Sequence, residues 1–196
     1  EICRHPKILD YVEDIIGPNI ICWASHLFSK NAHNSKVVPW HQDASYWKLS
    51  PARTVTVWLA LDDADEENAA MRFIPGSHNK GRLEETKSTG DTVLNIETKG
   101  ADKMGTPFSN VMKAGQISLH ADMLVHGSLA NGSDRRRCAL TIRYCPPEVL
   151  ITDPEWEKSV EAIICRGSDP TGTWKHHEKP INDDVLATTG PLGIID

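Results

Sequence analysis

The chain has 196 residues, 39% of them hydrophobic, with a formal net charge of −6. That length supports one domain with its own core. The acidic balance leaves no electrostatic footprint for nucleic acid, and no uncharged apolar run approaches the ~18 residues of a membrane-spanning helix. Five cysteines without a C-x-x-C pair point away from a disulfide framework and towards a reducing compartment, read as the cytoplasm. The chain opens on Glu1 with no initiator Met and no secretory signal, so an N-terminal part is expected to be missing from it.

Residues 5–17, HPKILDYVEDIIG, place Ile8, Leu9, Val12, Ile15 and Ile16 at helical spacing, and Gly17-Pro18 stops the run. Short apolar, β-branched segments follow. Strands are predicted within 19–29, within 53–63 (Val55, Val57, Leu59 and Leu61 on one face), within 71–77, within 116–128 and within 138–147. Many short strands separated by Gly, Pro and Asn turns indicate an all-β sandwich or barrel. Residues 80–108 are polar with little periodicity, and a connection of that length reads as a lid or functional loop. From Arg166 to Asp196 the chain is charged and Gly/Pro-bearing and reads as a surface tail.

Two His-x-Asp pairs stand out, His41/Asp43 and His120/Asp122. On a strand, residues two apart point to one side, so either pair can offer a metal two ligands. Two imidazoles and one carboxylate are the ligand set of non-haem Fe(II) oxygenases, which keep three positions open for co-substrate and O2. The rest of the constellation separates the pairs. For His120/Asp122 a third ligand would come from His176 or His177 in the polar tail, with no later Arg to hold an anion. For His41/Asp43 a third ligand is available at His126. Arg137 follows eleven residues later, at the entrance of a strand-like run, where it can grip a dicarboxylate co-substrate. Ser128, on the same side as His126 if the strand continues, adds a hydroxyl. Tyr46 and Trp47 read either as walls of a substrate pocket or as core aromatics beside the barrel mouth. Asn68 and Arg72 are weaker pocket candidates.

The stretches WHQDASYWKLSPARTVTVWLALDDADEENAAMRFIPGSHNKG and AGQISLHADMLVHGSLANGSDRRRCALTIRY closely resemble the phytanoyl-CoA dioxygenase family. The resemblance runs from about residue 5 to 168 and rests on the combination of His-x-Asp, PGSH, HGS and the following Arg. It implies a mainly β fold, a double-stranded β-helix (jelly-roll, cupin-like) core with flanking helices, forming one oxygenase domain over 1–196. It implies His41, Asp43 and His126 as Fe(II) ligands and Arg137 as the partner of the 2-oxoglutarate C5 carboxylate. Ser128 would support that contact and Trp58 would line the same pocket. The reaction implied is hydroxylation of a small molecule with O2, giving succinate and CO2; a carboxylate at position 43 favours hydroxylation over halogenation. One departure is visible: relatives commonly read Asn-Gly where this chain has Asn68-Ala69. The competing readings are a cupin-like metalloenzyme that does not use 2-oxoglutarate and a non-catalytic module that binds iron or 2-oxoglutarate.

Overall fold

Pro6 at the first helical position and Gly17 just past the last, at φ 92°, frame helix α1 (Pro6–Ile16) in the computed structural model, which describes residues 1–178. The strands follow as β1 (Ile20–Lys30), β2 (Val38–His41), β3 (Leu49–Ser50), β4 (Val55–Ala60), β5 (Arg72–Phe73), β6 (Glu85–Lys87) and β7 (Ile96–Thr98). They continue as β8 (Phe108–Ser109), β9 (Ile117–Ala121), β10 (His126–Ser128), β11 (Arg137–Cys145), β12 (Leu150–Ile151) and β13 (Ile163–Arg166). The protein is mainly β, as the strand spacing predicts. A five-stranded sheet runs β13-β1-β11-β4-β9 and a four-stranded sheet runs β2-β10-β5-β8.

Strand alternation gives the large sheet two different faces. On the outer face Ile20, Val55, Val57, Ile142 and Tyr144 bury Ile8, Leu9, Val12 and Ile16 of α1. The helical spacing in the sequence therefore names the right face, except that Ile15 is exposed. The inner face carries Thr56, Trp58 and Ala60 of β4 and Arg137, Ala139, Thr141 and Arg143 of β11, all buried. It meets the small sheet in a cluster that includes Trp58, Ala60, Ala139, Met71 and Phe73. The inner face is thus where polar residues are buried without being core.

Two expectations change. Residues 80–108 are not structureless: they contain the β6–β7 hairpin, and Val37 pairs with Thr92 in a further bridge. The hairpin bonds satisfy the backbone where side-chain periodicity is weak. The tail splits: Trp174 is buried and donates its Nε1–H to Val149 O at 2.8 Å, whereas residues 179–196 lie outside the described residues.

The Asn68-Ala69 departure has a backbone counterpart. Ala69 sits at φ 66°, in the left-handed region that an L-residue with a Cβ enters at a cost. Ala69→Gly is expected to stabilise the protein by up to about 1 kcal/mol, read as a higher denaturant midpoint at unchanged slope. Asn68 beside it holds the loop together. Its Nδ2 donates to Asp63 O at 2.7 Å and its Oδ1 accepts from Asp65 N at 2.7 Å.

Gly127 in β10 meets a different constraint. A Cβ there would stand 2.7 Å from Val38 O and 3.2 Å from Pro39 O, both backbone atoms of β2. Gly127→Ala therefore has to displace the strand that presents His41. The expected cost is roughly 1–3 kcal/mol in urea unfolding, accompanied by weakened metal binding.

Candidate metal centre

β2 ends at His41 and a single 3-10 turn, Asp43–Ser45, follows. Strand alternation is therefore not what brings His41 and Asp43 together; the turn does. Gln42 between them is 1% exposed. It donates from Nε2 to Met123 O at 2.7 Å and Gly81 O at 2.9 Å, and accepts from Leu83 N at 2.9 Å. A polar side chain buried with all these bonds made fixes the turn.

His126 enters from β10, directly opposite His41 in the antiparallel register, with ring centroids 4.1 Å apart. Each ring is anchored in the same way: His41 Nδ1 lies 2.9 Å from Pro39 O and His126 Nδ1 lies 2.9 Å from Leu124 O. A ring nitrogen facing a carbonyl carries the proton, so both Nε2 atoms are left as lone-pair donors aimed inward. Asp43 Oδ1 is 3.7 Å from His41 Nε2 and 3.9 Å from His126 Nε2. Three such donor atoms, all buried, lie within 4.8 Å of one another.

The electrostatics suit a cation at this point. Burial pushes the His126 imidazole down to about 3, so it stays neutral. Burial alone would raise Asp43, but the imidazoles of His126, His120 and His41 that face its two oxygens outweigh it and hold the carboxyl well below its usual range. Two imidazoles and an ionised carboxylate fit a divalent metal with open coordination positions.

His120 is the residue that sequence reasoning set aside. Its Nε2 lies 3.8 Å from Asp43 Oδ2, its ring centroid lies 4.8 Å from that of His126, and its Nδ1 is buried without a partner. It is a third imidazole at the same carboxylate. Its neighbour Asp122 does not join it. Asp122 Oδ2 accepts from Thr54 N at 3.2 Å, and burial pushes its carboxyl up to about 6.

Arg137 opens β11 and is 5% exposed. Among the described residues its guanidinium has no carboxylate partner and no hydrogen bond, and its Nε is buried and unsatisfied. It lies 5.7 Å from the ring of Trp58, which is 2% exposed. Ser128 Oγ is likewise buried without a partner. Lys30 faces Arg137 across the β1–β11 register, and burial together with that neighbour pushes its ammonium down to about 7. A buried guanidinium without a carboxylate partner and an orphaned hydroxyl, beside a Lys30 that donates to the carbonyls of Lys36 and Leu129, fit an anionic co-substrate.

The remaining expectations divide. The Tyr46 ring stands 6.0 Å from His41, and its hydroxyl donates to Ile96 O of β7 at 3.3 Å. Trp47 is buried edge-on against Trp23, at 4.8 Å between centroids. Arg72 is on the wrong face. Phe73, one residue on, reaches 5.4 Å from the His120 ring, so alternation turns Arg72 outward, where it lies 5.3 Å from the Trp40 ring. Asn68 is committed to its loop rather than to a pocket. His176 and His177 pair with Asp169 and Glu161 away from the centre.

A family model described as phytanoyl-CoA dioxygenase (PhyH) matches residues 1–139, a span that contains His41, Asp43, His126 and Arg137. The chain is 31% identical over 172 residues to phytanoyl-CoA dioxygenase domain-containing protein 1 of Danio rerio, covering 83% of this chain and 58% of that protein. It is 27% identical over 169 residues to L-proline trans-4-hydroxylase of Streptomyces griseoviridis, covering 74% and 63%. Among solved structures, the apo form of the non-heme monooxygenase ThoJ matches with a TM-score of 0.77 at 31% identity, covering 95% of this chain and 67% of that one. The chain thus spans about three fifths of the length of these curated relatives.

Proposed function

The chain belongs to the phytanoyl-CoA dioxygenase family, and from that premise we propose that it is an Fe(II)- and 2-oxoglutarate-dependent dioxygenase hydroxylating an unactivated C–H bond of a small molecule. One oxygen atom of O2 enters the product alcohol; the other enters succinate as 2-oxoglutarate loses CO2. The observation that carries the reading is the combination of a buried His41–Asp43–His126 trio at the small sheet with a buried, unpaired Arg137 on the inner face of the large sheet. The two facing sheets are then the two halves of a double-stranded β-helix core.

In this reading His41 and His126 donate their Nε2 lone pairs and Asp43 its carboxylate, and ferrous iron held there supplies the oxygen activation that no side chain can provide. Arg137 receives the distal carboxylate of 2-oxoglutarate with its guanidinium fork, Ser128 donates its hydroxyl to the same molecule, and Trp58 keeps that end dry. Tyr46 and Trp47 border the space left for substrate. The β6–β7 hairpin, bonded to Tyr46, is the segment that closes over it. A cupin-like enzyme without 2-oxoglutarate has no use for a buried cation at position 137.

The test is spectroscopic. Ferrous iron and 2-oxoglutarate are added anaerobically, and the visible charge-transfer absorption of chelated 2-oxoglutarate is expected. Admission of O2 should then release succinate. Absence of the band sinks the reading; a band with no succinate across a substrate panel favours a binding module instead.

A further inference from the structure

β11 presents a second buried arginine. Arg143 shares the inner face with Arg137, six residues or about 20 Å further along the strand. It lies in direct cross-strand register with Thr56, which in turn is opposite His120. The row Arg143–Thr56–His120 therefore runs across the sheet beside Asp43, whereas Arg137 lies at the other end of the strand. A co-substrate stretched from the metal trio to Arg137 leaves the Arg143 side to another molecule.

The surroundings of Arg143 are unusual for a structural arginine. It is 8% exposed, has no carboxylate within 4.0 Å among the described residues, and its Nε is buried without a partner. Its only hydrogen-bond contact there is Nη1 to His26 Nδ1 at 2.6 Å. The rings of Trp47 and Trp23 stand 4.9 and 5.8 Å from the guanidinium carbon. Burial depresses its pKa, and of the charges that oppose this the Asp43 carboxylate is the larger. His26 is exposed on the inner face, so the ring that the guanidinium touches faces solvent. A buried cation without a carboxylate in direct contact is costly to keep, and an aromatic frame already filled by a guanidinium repels a second cation.

We infer that Arg143, framed by Trp23 and Trp47, is an oxyanion subsite that anchors an acidic group of the substrate, a carboxylate or a phosphorus oxyacid, on the side of the metal trio away from Arg137. The inference deepens the proposed function and rests on it for the word substrate. It does not rest on it for anion binding. The subsite excludes choline-like cations and selects small acids, whose C–H bond to be oxidised lies between the anchored oxyanion and the trio.

The test uses the metal-free full chain at constant ionic strength, titrated with benzoate, with inorganic phosphate and with benzyltrimethylammonium. Tryptophan fluorescence is followed because Trp23 and Trp47 frame the site. A saturable response to at least one of the two anions is expected, with none to the cation. The response should persist in Arg137→Gln and weaken at least tenfold in Arg143→Gln. Arg143→Lys, which keeps charge but loses the planar fork, should fall between the wild type and Arg143→Gln, and it replaces the Gln variant if that fails to fold. No saturable anion response in the wild type overturns the inference, as does a response lost in Arg137→Gln and kept in Arg143→Gln. The charge-transfer band is measured on the same wild-type protein, so loss of the band with anion binding intact removes the proposed function and leaves the subsite standing. Benzoate against phosphate tells which oxyanion the site prefers.

Discussion

Arg137→Met is expected to do two opposite things at once. It should raise the dissociation constant of 2-oxoglutarate from the iron-loaded protein by about 30-fold to a few thousand-fold, the equivalent of 2–5 kcal/mol for truncating one partner of a buried charge pair. It should also make the ligand-free protein harder to unfold. The reason is that wild-type Arg137 is buried with its Nε unsatisfied and its guanidinium unpaired among the described residues, and burial pushes its pKa down to about 10. A methionine, which matches the apolar stem of the arginine and lacks its charged end, removes that desolvation cost. Added 2-oxoglutarate stabilises the wild type by mass action and leaves the variant's unfolding midpoint where it was. Isothermal titration and urea unfolding, each with and without 2-oxoglutarate, read both effects. If the ligand-free variant is less stable and still binds 2-oxoglutarate normally, Arg137 is a structural residue and the clamp lies elsewhere.

What the sequence makes legible follows from which forces are local. The α1 stripe is readable because α1 buries one face against one sheet, so period and burial coincide at Ile8, Leu9, Val12 and Ile16. The His41–Asp43–His126 trio is readable from residue types and from the downstream Arg, although the reason given for the first pair, strand alternation, is not the one the fold uses. A 3-10 turn locked by Gln42 makes the pair, and nothing in local periodicity announces bonds to Gly81, Leu83 and Met123. His120 is misread because two His-x-Asp pairs invite a choice between them. The register across β4 and β9 instead brings one residue of the second pair to the carboxylate of the first. Arg143 is invisible for a similar reason. In CALTIRY it looks like an ordinary strand cation, and it takes the packing around β11 to show that its side of the strand is a buried one. A signal was available: period-two reading of β11 from Arg137 puts Arg143 on the same side.

The presence of His120 gives the second large prediction its force. His126→Ala should abolish the charge-transfer band and weaken metal binding by well over 100-fold, since losing only an outer partner of a ligand already costs about 10–100-fold. His120→Ala is the matched control. His120 touches Asp43 at 3.8 Å on Oδ2, whereas His126 and His41 both approach Oδ1, and the compact donor set within 4.8 Å comprises His41, Asp43 and His126. Only two of the three rings are also held through Nδ1 by a carbonyl two residues back, at His41 and at His126; His120 Nδ1 has no partner. An imidazole anchored at one nitrogen points the other at a metal, whereas His120, facing the second carboxylate oxygen of Asp43, steadies that oxygen. His120→Ala should therefore keep the band while weakening metal affinity. The metal-free proteins separate ligand loss from misfolding. His126→Ala leaves Leu124 O without its donor, a penalty of about 1–3 kcal/mol against a typical total of about 5–15 kcal/mol, so urea unfolding of the metal-free variant shows whether it is folded. Equilibrium metal titration and anaerobic absorption on both variants decide the matter: a band that survives His126→Ala and vanishes in His120→Ala would reassign the third ligand to His120.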